Sequence, residues 1–177
     1  MALLRIREFP DRILKEKSKK IRKIDASIQK LASDMVETMH HEGGVGLAAN
    51  QVGILKRLCV IQIPDEDEEA RILINPEVVE AIGERRVEEG CLSVPGYRGY
   101  IFRSESVKVR AQNRHGKHMK IQAEGLLAQA LEHEIDHLNG ILYLDHLRAH
   151  EDLHKVGDEA DETHQHESHQ PVEAEIG

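Results

Sequence analysis

His133-Glu134-Ile135-Asp136-His137 lies inside an apolar, helix-like run. Histidines at i and i+4 stand about one turn apart on one helix face, so both imidazoles can reach a single cation. Glu134 is turned by about 100° from His133 and reaches a water on that cation rather than the cation itself. Leu126, Leu127, Ala130, Leu131, Ile135 and Leu138 surround the motif. A helix this apolar is buried on most sides, where imidazole and carboxylate without partners are costly, and a bound metal is the economical reading. A catalytic metal needs a third protein ligand and an open position. Cys91, in Glu89-Gly90-Cys91-Leu92-Ser93, is the candidate, on a turn of small residues where Gly90 permits close backbone approach. The other thiol, Cys59, sits in the apolar stretch 57–63 and reads as a small core hydrophobe.

Two imidazoles and a carboxylate at this spacing occur in several branches of metal hydrolase. One branch continues with a glycine and a third histidine; Gly140 is in place, but Tyr143 stands where that histidine would be. A downstream glutamate on a second helix does not suit a chain that soon turns into an acidic tail. A metalloprotease of another branch and a metal-binding or storage protein working through a His-rich tail stand as alternatives.

The motif needs elements to hold it. Asp25 is an N-cap candidate, and Ile28, Leu31, Met35, Val36 and Met39 follow at helical spacing until Gly43-Gly44. Residues 45–53 are small and apolar and fit neither period. Residues 57–63 read as a buried strand, 65–69 as an acidic loop, 72–74 as a strand ended by Asn75-Pro76, and 78–87 as a further strand. Val107, Val109 and Ala111 alternate inward along 106–112, and Asn113-Arg114-His115-Gly116 turns the chain into 117–121. Residues 123–139 form the long helix carrying the motif. The expected fold is α+β: antiparallel or mixed β-sheets around that central helix, with an N-terminal helix and a C-terminal polar tail.

Charge divides the chain. Residues 1–148 hold 23 Lys/Arg and 23 Asp/Glu, whereas 149–177 hold nine acids and one Lys, net −8. A catalytic domain over 1–148 and an acidic, His-rich tail over 149–177, disordered or weakly helical, are expected. Six of the twelve histidines fall between His146 and His169, a tract that either binds metal or simply solubilises. Without an excess of cations the chain is no specific nucleic-acid binder. The basic stretch 15–23 reads as a solvated segment, although a surface for transient ribosome contact would look the same. No apolar run approaches ~18 residues, so no membrane span is expected. No signal segment and no disulfide framework are visible, which points to the cytoplasm.

Three segments together carry a resemblance: Gly44-Val45-Gly46-Leu47-Ala48-Ala49-Asn50-Gln51, Glu89-Gly90-Cys91-Leu92-Ser93 and Glu132-His133-Glu134-Ile135-Asp136-His137-Leu138. In this order and spacing, over residues 4–147, the chain resembles the peptide deformylases. The resemblance implies that Cys91, His133 and His137 hold one divalent metal, Fe²⁺ in cells, with Zn²⁺, Ni²⁺ or Co²⁺ able to replace it. It implies that Glu134 is general base and then acid, and that the Gln51 amide and the Leu92 N–H polarise the formyl oxygen. Val45, Gly46 and Gly90 would pair with the peptide in strand fashion, and Val45, Leu126 and Ala130 would line a pocket for its methionine. The substrate would be an N-formylated nascent peptide beginning with formyl-methionine, and formate a product. Departures from the family's usual residues are Asn50, where Thr is frequent, Glu132, where Gln is frequent, and Gly96-Tyr97-Arg98-Gly99 at the rim of the peptide cleft. Arg98 and Arg103 read as surface or structural arginines, or one of them faces the peptide or pairs with Asp136; the sequence does not choose. It also leaves the oligomeric state open.

Overall fold

Asp25 opens the first helix, its carboxylate accepting the N–H groups of Ser27 and Ile28 at 3.0 and 3.2 Å. Helix α1 spans Ala26–His41. Its inward side chains Ile28, Ala32, Met35 and Met39 pack with Leu47, Leu58, Val60 and Ile74. The structure, a computed structural model, describes residues 2–66, 68–157 and 176.

Seven strands follow α1: β1 (Gly46–Ala48), β2 (Leu58–Ile61), β3 (Arg71–Ile82), β4 (Arg85–Glu89), β5 (Tyr97–Arg103), β6 (Ser106–Gln112) and β7 (His118–Glu124). Helix α2 (Gly125–Leu138) comes next and β8 (Leu153–Lys155) last. One sheet has the order β1-β2-β3-β6-β7, the other β4-β5-β8, and every pairing is antiparallel. Apolar α2 residues Ala128, Leu131, Ile135 and Leu138 share one packed cluster with Val107, Val109, Ile121 and Ala123 of β6 and β7. The α+β architecture around a central motif-bearing helix is the one expected.

Four details differ from the sequence reading. Strand β3 runs through Asn75-Pro76 instead of ending there. Asn75 adopts a left-handed backbone (φ 51°), and the register shifts between Ile74 and Glu77. The Asn75 side chain accepts the Ile21 N–H and donates to the Ile21 carbonyl, both at 2.8 Å. The strand absorbs the proline, which has no N–H to lose, at a bulge. Next, the strand expected over 78–87 is split at Gly83 (φ 76°), so that β3 and β4 lie in different sheets. Then β5 was not foreseen, because its buried positions are Gly99, Ile101 and Arg103; a glycine and a buried arginine break the apolar alternation that marks a strand.

The fourth difference concerns the tail boundary. Residues 149–156 were expected to be polar tail, yet His150–Asp152 form a 3-10 turn and β8 pairs with β5, Gly99 facing Leu153. Leu153 packs against the cluster of Cys91, Val94, Ile101 and Tyr143, and the edge of β5 satisfies its backbone groups, which outweighs the local acidity. Apart from Ile176, the rest of the tail, including His164, His166 and His169, lies outside the described residues. Among the described residues no helix is long and apolar enough to cross a membrane.

Candidate metal centre

While one side of α2 packs on the large sheet, another turns Ala130, His133, Glu134 and His137 inward, all buried. The two Nε2 atoms of His133 and His137 stand 3.0 Å apart, with the rings nearly perpendicular at 75°. Cys91, just past the end of β4, brings its Sγ within 3.3 Å of His137 Nε2. The three ligand atoms all lie within 4.8 Å of one another. Two nitrogens and a sulfur on one tetrahedral ion stand roughly 3.3–3.6 Å apart, so the set fits a single ion after small side-chain adjustments. Burial pushes the Cys91 thiol up, only partly opposed by the Ser93 N–H at 3.4 Å, and Glu134 and Glu89 add to the rise. A thiolate there therefore calls for a cation beside it.

The orientation of His133 is set from behind. Its Nδ1–H donates to Glu89 Oε2 at 2.6 Å. An ionised carboxylate only accepts, so the proton is on Nδ1 and the lone pair of Nε2 faces the thiol and its partner ring. Glu89, fully buried, is gripped by Arg103 through Nη2 at 2.7 Å and Nε at 3.0 Å, and Gln129 donates to it at 3.2 Å. Burial alone would raise the Glu89 carboxyl, but His133 and Arg103 outweigh it and hold the group well below the usual carboxylate range. Arg103 also donates to Asp136 Oδ2 at 2.6 Å, where His146 Nε2 lies at 2.8 Å. Arg103 thus takes Asp136, while Arg98 pairs with Glu88 at 2.5 Å.

Glu134 is fully buried, and neither carboxyl oxygen has a hydrogen-bond partner among the described residues. Burial first, then the charges of Glu89 and Asp136, push its pKa well up, with Arg103 opposing. Such an unpartnered carboxyl is costly in a folded protein and is a mark of a working group. The backbone of Gly46 lies directly over it: a Cβ at position 46 would sit 2.5 Å from Glu134 Oε1.

Gln51 lies in the 3-10 turn Ala49–Val52 that follows β1. Its Oε1 accepts the Ala48 N–H at 2.9 Å, so its NH₂ group must face the other way. That Nε2 donates to Ser93 Oγ at 3.0 Å and stands 3.7 Å from Cys91 Sγ. The neighbouring Asn50 donates to the His137 carbonyl at 2.5 Å and ties this turn to α2. Val45 and Ala130 belong to one apolar cluster, with Leu126 packed against it. Gly90 faces the Arg98 guanidinium, which would lie 3.1 Å from an added Cβ. Leu92 follows Cys91 in the chain, but its side chain packs instead with the α1 cluster. Glu132 accepts the Ser104 N–H at 2.8 Å, on the outer side of α2. A cavity of about 910 Å³ on that outer side is lined by Arg57, Glu77, Val78, Arg110, Glu132 and Asp136 and includes none of Cys91, His133, Glu134 or His137.

Sequence reasoning assigned no role to Glu89, Gln129 or Ser93, and for Arg103 it offered a pairing with Asp136 but not the hold on Glu89. For Glu89 a signal existed: a histidine ligand needs an acceptor for its second nitrogen, and a glutamate lies two residues before the cysteine. For the hold of Arg103 on Glu89 the signal was indirect, an arginine at an inward position of a strand.

The family model for polypeptide deformylase matches residues 3–152. A peptide deformylase of Dehalococcoides mccartyi is 52% identical over 157 residues, 89% of this chain and 93% of that protein. The crystal structure of a peptide deformylase from Legionella pneumophila is similar with a TM-score of 0.80 and 46% identity, over 82% of this chain and 86% of that one. One from Ehrlichia chaffeensis in complex with actinonin gives a TM-score of 0.80 and 44% identity, over 83% and 90% of the two chains. A match over most of the chain, together with a thiol and two imidazoles converging beside an unpartnered glutamate, places this protein in the polypeptide deformylase family.

Proposed function

We propose that Cys91, His133 and His137 hold one divalent ion at which the N-formyl group is hydrolysed from formyl-methionine at the start of newly made peptides. Metal-dependent hydrolysis of N-formyl peptides is the activity of this family. The ion, when bound, supplies a Lewis acid and a water acidic enough to attack at neutral pH. Glu134, unpartnered and lying close under the Gly46 backbone, takes the proton of that water and returns it to the departing amine nitrogen. The formyl carbon–nitrogen bond breaks, and formate and a free amino terminus result. Gln51 Nε2 and the Leu92 N–H donate to the formyl oxygen as it gains charge, a contribution worth about 10²–10³ in rate per donor. Val45, Gly46 and Gly90 offer backbone groups to the peptide, and Val45, Leu126 and Ala130 receive the methionine side chain. Gly46, with no side chain over the carboxyl of Glu134, leaves that carboxyl unobstructed, and a tight space between Gly46, Cys91 and the ion would select formyl over larger acyl groups.

The observation that carries this reading is the convergence of three donors next to a buried carboxyl with no partner. The resemblance to the family points to Fe²⁺ as the resident ion, with Zn²⁺, Ni²⁺ or Co²⁺ as replacements, and the thiolate donates charge to whichever ion is bound. The enzyme would act in the cytoplasm on nascent chains, and exposed Lys17, Lys19 and Lys20 would serve a transient ribosome contact. The catalytic unit would be residues 1–148, with β8 completing its smaller sheet. A formate-release assay on a formyl-Met peptide, with metal analysis of the same anaerobic sample, tests the reading. Formate release with one ion per chain is expected; one ion per chain without formate retires it.

A further inference from the structure

The cavity on the outer side of α2 measures about 910 Å³, within the range of roughly 300–1,000 Å³ that takes small organic ligands. The Leu138 carbonyl at the end of α2 accepts the Ser18 N–H at 2.8 Å and Arg57 Nη1–H at 3.1 Å, so Ser18 and Arg57 are neighbours in the cavity wall. Ser18 is only 4% exposed, and its hydroxyl has no hydrogen-bond partner among the described residues. A hydroxyl buried in that way is costly unless a partner arrives. Arg57 spends one nitrogen on Leu138 and on Asn139 Oδ1 at 3.0 Å, which caps the helix and adds no counter-charge. Burial lowers its pKa from the ordinary guanidinium value, with Cys59 and Glu77 opposing only in part. Lys17 and Lys20, on either side of Ser18, also line the cavity, and neither has an acid partner among the described residues. The acids of the wall are committed elsewhere. Glu77 pairs with Arg110 at 2.8 Å, Asp136 pairs with Arg103 at 2.6 Å, and Glu132 accepts the Ser104 N–H. Three cations without an acid thus face one acid without a cation. Other surfaces are built the opposite way: Lys15, Lys30, Arg71, Arg86, Arg98 and Lys108 all hold carboxylates. A guanidinium fork, two ammonium groups and a hydroxyl form a donor set suited to phosphate oxygens. A bare phosphate would fill a small part of the space. Pro76, Val78 and Ala111 line the cavity with apolar surface, and Glu132 is able to accept an N–H or O–H from an organic group.

We propose that this cavity binds a small phosphate monoester, with the phosphate held by Ser18, Arg57, Lys17 and Lys20 and the organic part lying against Pro76, Val78 and Ala111. Cys91, His133, Glu134 and His137 are not in its walls. The site is therefore separate from the formyl-peptide centre and stands whether or not that centre hydrolyses formyl peptides.

The test is calorimetric titration of the full-length, metal-loaded protein with adenosine 5′-monophosphate, ribose 5-phosphate and inorganic phosphate. Saturable binding of an ester, tighter than that of inorganic phosphate, is expected. Preference for the nucleotide over ribose 5-phosphate would make the organic part a nucleoside, and equal binding would make it a sugar; either result supports the site. Lys20 is exposed and holds no partner, so Lys20→Glu keeps the fold and should weaken the ester about 10-fold or more, and Ser18→Ala should weaken it about 3- to 10-fold. Lys19→Glu is the control, because Lys19 is exposed between these residues in the chain but does not line the cavity; its affinity should stay within about two-fold at physiological salt. Absence of saturable binding overturns the proposal, and inorganic phosphate binding as tightly as both esters would reduce the site to an adventitious ion only, which also overturns it. Equal losses from Lys19→Glu and Lys20→Glu would make the effect one of general surface charge. Affinity that survives both Lys20→Glu and Ser18→Ala would place the ester elsewhere, the metal centre included. Either of these outcomes removes the site.

Discussion

Glu89 Oε2 lies 2.6 Å from His133 Nδ1, and the same oxygen lies 2.7 Å from Arg103 Nη2. One carboxylate thus fixes the tautomer of a ligand ring and neutralises a buried guanidinium. Glu89→Gln keeps the shape but loses the charge. The expected result is a 10–100-fold loss of metal affinity in chelator competition. Stability should also fall, by about 1–3 kcal/mol, because Arg103 keeps only Asp136 as a charged partner. Affinity within two-fold of the parent would refute the role.

Glu134→Gln removes the proton carrier and leaves the three ligand atoms in place. Turnover of a formyl-Met peptide should drop about 10²–10⁴-fold, while metal content stays near one ion per chain. Near-normal turnover would move the acid/base role to another group.

Gly46→Ala tests the closeness of the strand to that carboxyl. A Cβ placed 2.5 Å from Glu134 Oε1 and 2.9 Å from its Cδ has to push the carboxyl aside. A displacement approaching 1 Å at a reacting group costs about 10²-fold in rate. Turnover at saturating substrate should fall by that order, with bound metal unchanged; an active Gly46→Ala enzyme would mean that the carboxyl has another working position.

Asp34 supplies a pH test away from the centre. Its carboxylate accepts from Lys30 Nζ at 2.7 Å and the Ala2 N–H at 2.8 Å, which hold its pKa below the ordinary carboxylate value. A carboxyl lowered on folding stabilises fully above its unfolded pKa, near ~3.9, and that contribution disappears as pH falls through the lower folded value. Asp34→Asn should therefore melt below the parent at pH 7, and the gap should close as pH falls below about 4. A gap independent of pH would assign the loss to packing.

The sequence carried the centre further than it carried the strands around it. His133, Glu134 and His137 are legible because helical spacing converts directly into a shared face, and Asp25 because capping chemistry is local. Strand β5 was hidden because Arg103 faces inward, where a strand pattern calls for an apolar residue. That same inward arginine supports Glu89, so the irregularity was itself the functional signal. Asn75-Pro76 misled because a proline normally ends a strand, whereas here an asparagine side chain bonded to the Ile21 backbone holds the bulge open. The pairing of β8 with β5 and the burial of Ile176 depend on surfaces assembled from distant segments, and no local pattern of an acidic tail announces them.

The donors of the centre arrive from two bodies of structure. Cys91 follows β4 of the small sheet, whereas His133 and His137 ride on the helix that packs against the large one. An ion held by all three would add a rivet across a joint that the Glu89–His133 and Arg103–Asp136 pairs already span. Stripping it would then loosen the two bodies on warming as well as silence the chemistry.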